Sequence, residues 1–175
     1  YTSVLRENVE ELNGLIQEIL DFRKAEDAGF SHTHIRRVSV SSLLRTQFEW
    51  FYPLSEQHQI QFKIDAPKEL YWNTDSVYFK KILANLISNA FKYTEDGGTV
   101  RISLHEEENF LVLKVYNTGK GIEEADMQNI FDRYRILGTM DNDDNRQNTT
   151  RNGLGLFICH SLVQSLGGKI DIESE

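Results

Sequence analysis

Cysteine is nearly absent from this chain: Cys159 is the only one among 175 residues. A lone thiol excludes an intrachain disulfide, and a reducing compartment fits. Long apolar runs are missing as well. No uninterrupted stretch approaches the roughly 20 residues that span a bilayer, and no signal-peptide pattern opens the sequence. Any membrane anchor is therefore expected outside these residues. Positive charge is in deficit, with 19 Lys and Arg against 27 Asp and Glu, a net charge of -8. That balance argues against nucleic acid as the main partner. It does not argue against a small polyanion, which needs only local cations. No internal repeat is visible.

What is present describes an ordinary globular chain. With 39% hydrophobic and 26% charged residues, it holds one domain of normal core size plus an appendage. The appendage comes first. Leu5, Val9, Leu12, Ile16 and Ile19 recur in steps of four and three, the seam of a helix in a bundle or coiled coil. A helix of about 25 residues is roughly 37 Å long, too long for the small domain behind it to cover, so it calls for a partner helix. Residues 25–34, with Gly29, His32 and His34, read as a hinge.

Behind the hinge, 35–40 alternates as a strand and 41–58 carries Leu43, Leu44, Phe48, Phe51 and Leu54 at helical spacing. Strands are expected at 60–64 and 70–72. Asp75 is placed to cap a helix running through 92. Gly97 and Gly98 break the chain before strands at 100–105 and 110–116, joined through the charged turn EEEN. A helix over 124–131, a polar loop over 138–152, a helix over 154–166 and a strand over 169–173 complete the pattern. A loop of about 15 residues in a compact domain acts as a lid or is disordered. The mixture predicts an α+β fold, a two-layer sandwich with one sheet covered by helices.

Three short clusters carry the chemistry. In NLISNAFKY, Asn85, Asn89 and Lys92 fall on one helix face, so two amides and an ammonium point the same way. Such a face suits a metal-bound polyphosphate. In NTGKGI, Gly119 and Gly121 stand in a tight turn after a strand, where bare backbone can lie against a flat ligand. In NGLGLFI, Gly153 and Gly155 open a helix whose free N–H groups attract phosphate.

In this order and spacing the set resembles the N, G1 and G2 boxes of the ATP-binding domain of sensor histidine kinases, a Bergerat-type fold shared with DNA gyrase, the Hsp90 chaperone and MutL. Phe131 in IFDRY resembles the F box, LVQSLGGKIDIESE the stretch after G2, and NVEELNGLIQEILDFRKAEDAG the second helix of the kinase dimerisation domain. The resemblance implies three parts. Residues 1–28 are part of the dimerisation domain, 29–38 the hinge and first strand, and 39–175 the catalytic domain with its C-terminal edge cut short. It also implies ATP with Mg²⁺. Asn89 holds the metal, Asn85 lies beside it, and Lys92 and Tyr93 contact phosphate or ribose. Asn117, Gly119, Gly121, Ile122, Phe131, Gly153, Leu154, Gly155 and Leu156 line the rest of the site. The loop over 138–152 is then the ATP lid.

The same resemblance implies a homodimer through the N-terminal helix, a phosphoacceptor histidine on a helix ahead of Tyr1, and a response regulator receiver domain as partner. This portion is expected in the cytoplasm, with a membrane reached only through other regions of a sensor, and NTGKGI with DFRKAE is similar to hybrid sensors. His32, His34, His58, His105 and His160 read as surface or packing residues, so the chain is not expected to phosphorylate itself.

Two positions depart from the family pattern. Asn117 stands where an aspartate usually accepts from the adenine amino group, and Arg151-Asn152 stands before Gly153 in place of the usual Gly and Thr or Ser. An amide can still accept from that amino group and donate to the neighbouring ring nitrogen. Asn85 replaces the glutamate that activates water in the hydrolysing relatives; a neutral amide takes no proton, which disfavours hydrolysis. Arg133, Arg135 and Arg151 are candidates to meet the γ-phosphate alongside Asn85 and Lys92. The leading expectation is a protein-histidine kinase domain. A degenerate nucleotide-binding scaffold or switch without transfer activity is the alternative, and an ATPase the third reading.

Overall fold

The computed structural model describes residues 33–127, 130–131 and 155–174. The expected dimerisation helix over 1–28, most of the hinge and the lid over 138–152 lie outside the described residues.

Strand β1 (Arg36–Ser39) pairs antiparallel with β3 (Tyr71–Thr74), Arg36 opposite Thr74. The main sheet has the order β2, β4, β5. In it β2 (Gln61–Asp65) runs parallel to β4 (Thr99–Glu107), which pairs antiparallel with β5 (Phe110–Asn117). Helix α1 (Val40–Gln57) precedes β2, and α2 (Ser76–Tyr93) makes the crossover that a parallel pair requires. A short α3 (Glu124–Met127) and α4 (Gly155–Ser165) follow.

Alternation along the strands puts one face of the sheet under the helices. Phe62 lies beside Val100, and Ile102 and Leu104 face Val115 and Leu113 across the β4–β5 ladder. Val100, Ile102 and Leu104 are fully buried, as are Leu44 of α1 and Leu83 and Ile87 of α2. Four rings join the layers: Phe48 stacks on Phe62 at 4.4 Å, Phe62 meets Phe91 edge-on at 4.9 Å, and Phe51 stacks on Phe91 at 5.5 Å. Aromatic pairs at such distances add to the burial energy of each ring. The opposite sheet face carries Lys63, Arg101, Lys114 and Tyr116, all exposed, so the domain is a two-layer α/β sandwich.

Helix ends are set by specific groups. Asp75 caps α2: Oδ1 accepts from Val77 N–H at 2.9 Å and Tyr78 N–H at 3.2 Å, while Oδ2 accepts from His34 N–H at 2.8 Å. Helix α1 continues through Pro53 and ends in a Schellman turn. Ile60 N–H reaches Ser55 C=O at 2.8 Å and Gln59 N–H reaches Glu56 C=O at 3.2 Å, with Gln59 at φ 55°. The matching turn after α4 has Gly167 at φ 73°.

Three expectations change. The turn between β4 and β5 shrinks to Glu108 and Asn109, because the ladder extends to the Glu107–Phe110 pair. The helix expected over 124–131 is described only over 124–127, where Asp126 and Met127 N–H both bond Glu123 C=O. Ile130 and Phe131 instead form a turn, with Ile130 buried in the interior. The strand expected over 169–173 is not formed among the described residues. Alternation survives there, with Ile170 and Ile172 half-buried, but a strand also needs a ladder partner.

Two stability predictions follow from the helix ends. A side chain in the left-handed region costs about 1–2 kcal/mol, partly offset by glycine's freedom in the unfolded chain. Gln59→Gly is therefore expected to stabilise by about 0.5–1 kcal/mol in urea unfolding, and a loss would contradict the geometry. Burial raises the pKa of the Asp75 carboxyl, but backbone donors from His34, Tyr78 and Val77 together outweigh it, leaving it below the ordinary value. Its contribution is present above the unfolded carboxyl pKa of about 3.9 and lost as pH falls through the lower folded value. Asp75→Ala should cost about 1–3 kcal/mol at neutral pH, and Asp75→Asn should flatten this part of the acid-unfolding curve.

Candidate functional site

The site begins with the rotational phase of α2. At about 100° per residue, Phe79, Leu83, Ile87 and Ala90 turn to the sheet, and Ile82 with Tyr78 and Leu86 turns to Ile158 and Leu162 of α4. Asn85, Asn89 and Lys92 occupy the remaining sector, bordering the α4 seam, and all three are half-buried. Asn85 Nδ2 donates to Lys81 C=O at 3.0 Å, which leaves its Oδ1 facing α4. There a Cβ added to Gly155 would lie 3.3 Å from Asn85 Oδ1 and 3.9 Å from Asn89 Nδ2. The first described residue of α4 thus faces both amides, with Asn85 the nearer. Lys92 Nζ sits 5.5 Å above the Tyr93 ring.

The glycine turn closes on the other end of α2. β5 ends at Asn117, opposite Val100. Thr118 locks the exit twice, its N–H bonding Thr99 C=O at 3.0 Å and its Oγ1 accepting from Thr99 N–H at 2.9 Å. Asn117 Nδ2 donates to Thr118 C=O at 3.2 Å, which fixes the amide with its oxygen turned away from that carbonyl. A Cβ on Gly119 would lie 2.5 Å from Tyr93 C=O, so only glycine lets the turn lie against the helix end. Gly121 is required for another reason, its φ of 72°. Ile122 N–H donates to Ser174 Oγ at 2.7 Å, tying the turn to the last described residues. An open depression of about 260 Å³, lined by Glu95, Asp96, Gly98, Thr118, Gly119 and Lys120, flanks the turn. It touches none of Asn85, Asn89 or Lys92.

Phe131 stacks on His160 of α4, and Leu156 is half-buried at the start of that helix. Cys159 is fully buried, its Sγ 3.8 Å from Ile82 C=O, and burial pushes its thiol up to about 12. It therefore stays a neutral packing thiol. Arg133, Arg135, Arg151, Gly153 and Leu154 lie outside the described residues. Sequence reading missed the Thr118 lock, the Ser174 tie and the His160 ring, since each joins residues far apart in the chain and leaves no local pattern.

Residues 74–175 match the family described as histidine kinase-, DNA gyrase B-, and HSP90-like ATPase. The chain belongs to this family. Among curated relatives, the sensor protein SrrB of Staphylococcus aureus is 28% identical over 173 residues, 99% of this chain. The chain spans 29% of SrrB's length. Among solved structures, the histidine kinase AdeS of Acinetobacter baumannii superposes with a TM-score of 0.78 at 19% identity, covering 99% of this chain and 77% of that one. Histidine kinase ThkA in complex with the response regulator protein TrrA gives 0.71 at 20% identity, covering 96% of this chain and 44% of that one. These likenesses share the fold. Among the described residues no helix is long and apolar enough to cross a membrane.

The packing of the histidine kinase-like ATPase fold around Gly119 yields a direct test. Gly119→Ala must displace the Tyr93 carbonyl, a backbone atom that cannot swing away, and is expected to cost about 1–3 kcal/mol in denaturant unfolding. An unchanged midpoint would mean that the turn does not lie against α2.

Proposed function

We propose that this chain is the ATP-binding catalytic portion of a sensor histidine kinase, which transfers the γ-phosphoryl of ATP to a histidine carried on a separate dimerisation helix. The observation that carries the reading is the close placement of Gly155 beside Asn85 and Asn89, where an added Cβ would lie 3.3 Å and 3.9 Å from their amides. It sets the Gly155 end of α4 beside a pair of amides, where an added Cβ would crowd Asn85 Oδ1. Anions favour such a helix start.

The residues present fit a metal-bound nucleotide. Asn89 offers an amide oxygen to Mg²⁺, a hard cation that takes few protein ligands beside phosphate oxygens. Bound there, the ion would supply neutralisation of phosphate charge. Lys92, beside Tyr93, is placed for phosphate or ribose, and the bare backbone of Gly119 and Gly121 for the base. Asn117, held by Thr118 C=O, presents its oxygen as an acceptor for the adenine amino group; guanine carries an oxygen there and would be repelled. Its second amide hydrogen remains to donate to the ring nitrogen. In the transfer, the acceptor imidazole nitrogen forms a bond to the γ-phosphorus as the bond to the leaving ADP breaks. Positioning supplies most of the rate.

Asn85 argues for transfer over hydrolysis. Its NH₂ is occupied by Lys81 C=O and its neutral oxygen cannot accept a proton from water. The remaining partners follow from the same reading: dimerisation through the helix expected over 1–28, a response regulator as recipient of the phosphoryl group, and a cytoplasmic position where ATP is available. A degenerate binding module is the second reading, favoured by the uncharged Asn117.

Calorimetric titration with Mg²⁺-ATP, with GTP as control, tests the proposal. Saturable binding that prefers ATP is expected, and Asn89→Ala should weaken it by at least about tenfold. Absence of binding at millimolar ATP would remove the kinase reading. Asn117→Asp should tighten ATP about fivefold by charging the acceptor; equal ATP and GTP affinities in both proteins would show that residue 117 does not read the base.

A further inference from the structure

One contact outside the amide and glycine clusters joins two segments of the candidate site. The rings of Phe131 and His160 lie 5.3 Å apart with an interplanar angle of 23°, a stacked arrangement that aromatic rings favour. His160 stands five residues after Gly155, about 7.5 Å further along α4. Its Nε2 lies 3.4 Å from Gln164 Nε2, one turn on. Gln164 thus meets the ring edge while Phe131 covers a face. Beside Phe131, Ile130 is buried. Packing of α4 on α2 is carried by Ile158 and Leu162, so the half-buried imidazole is not needed to hold the helix in place.

We propose that His160 is a positioning residue for bound nucleotide: by holding Phe131 on α4, it makes the 130–131 segment and the Gly155 end of that helix a single side of the proposed nucleotide site. The proposal rests on the nucleotide-site reading above. A side already ordered spares the ligand the entropy of ordering it. Helix α4 is continuous from Gly155 to His160, so the position of one fixes the other. Loss of the imidazole frees Phe131 without removing a group that touches nucleotide. Aromatic pairs of this kind translate into about a two- to tenfold change in dissociation constant.

The test is a double-mutant cycle on the full 175-residue chain, titrating Mg²⁺-ATP into His160→Ala, Phe131→Leu and the double variant, with His160→Phe as the rescue. Each single variant is expected to weaken binding two- to tenfold, the double variant no more than either, and His160→Phe to restore it. In NMR spectra the His160 ring protons should be shifted upfield by the Phe131 ring, and Phe131→Leu should abolish that shift. Losses that simply add in the double variant, unchanged affinity in both singles, or a His160 shift indifferent to Phe131→Leu would each overturn the proposal. If wild type binds ATP and the variants match it, the positioning role alone falls. If wild type keeps the ring shift but binds no ATP, the nucleotide reading falls and takes the positioning role with it.

Discussion

The candidate site depends on one constraint, the rotational phase in which α2 packs. Leu83 and Ile87 are fully buried against the sheet, and each contributes about 1.5–3 kcal/mol on leaving water. Ile82 engages α4 on a neighbouring side. With two sides committed, the third is fixed. A rotation of one residue, about 100°, would bury an asparagine and expose a core leucine. The placement of Asn85, Asn89 and Lys92 is therefore a by-product of apolar packing, and needs no separate interaction to hold it.

That phase is anchored at both ends by polar groups. At the start, the Asp75 carboxylate accepts three backbone N–H groups, two from the first turn of α2 and one from His34. The same carboxylate thus caps the helix and fixes where the chain approaches β1, two residues after His34. At the other end, Thr94 Oγ1 bonds Ala90 C=O at 2.6 Å. Gly97 N–H reaches His58 C=O at 3.0 Å, while His58 Nδ1 meets Asp96 Oδ1 at 2.9 Å. These bonds join the ends of α1 and α2. Because the glycine turn after β5 rests on Tyr93 C=O, its position is inherited from the same helix.

Features that depend on local periodicity were legible in the sequence. The 3.6-residue spacing of apolar residues gave α1 and α2, the Asp75 cap was readable from its residue type, and alternation gave β2, β4 and β5. Spacing alone also put 85, 89 and 92 on one face. Features that depend on a distant partner were not legible. The strand expected over 169–173 kept its alternation but found no ladder partner among the described residues. The helix expected over 124–131 yielded at Ile130 and Phe131, whose side chains are engaged in the interior and on His160. Glycine type was readable where φ is positive, as at Gly121. At Gly119 the requirement is that a Cβ would fall 2.5 Å from a carbonyl 26 positions earlier, which no local pattern encodes.

In the proposed reading, neutral amides stand at 85 and 117 where the family resemblance leads one to expect carboxylates in hydrolysing or base-reading members, and their environment explains how they can serve. Asn85 and Asn117 each spend an N–H on a backbone carbonyl, of Lys81 and Thr118 respectively. That bond orients the amide and commits its oxygen outward, so the acceptor is fixed before any ligand arrives. A carboxylate at 85 would have no N–H to give Lys81 C=O and would set its charge against that carbonyl dipole. It would also face a polyanionic ligand in a chain already at -8. A unit charge about 4 Å from a phosphate costs roughly 4 kcal/mol at an effective dielectric near 20. In the proposed reading, the amide at 85 gives up general-base chemistry and avoids that repulsion. The combination suits a site that must hold ATP intact until an acceptor histidine arrives.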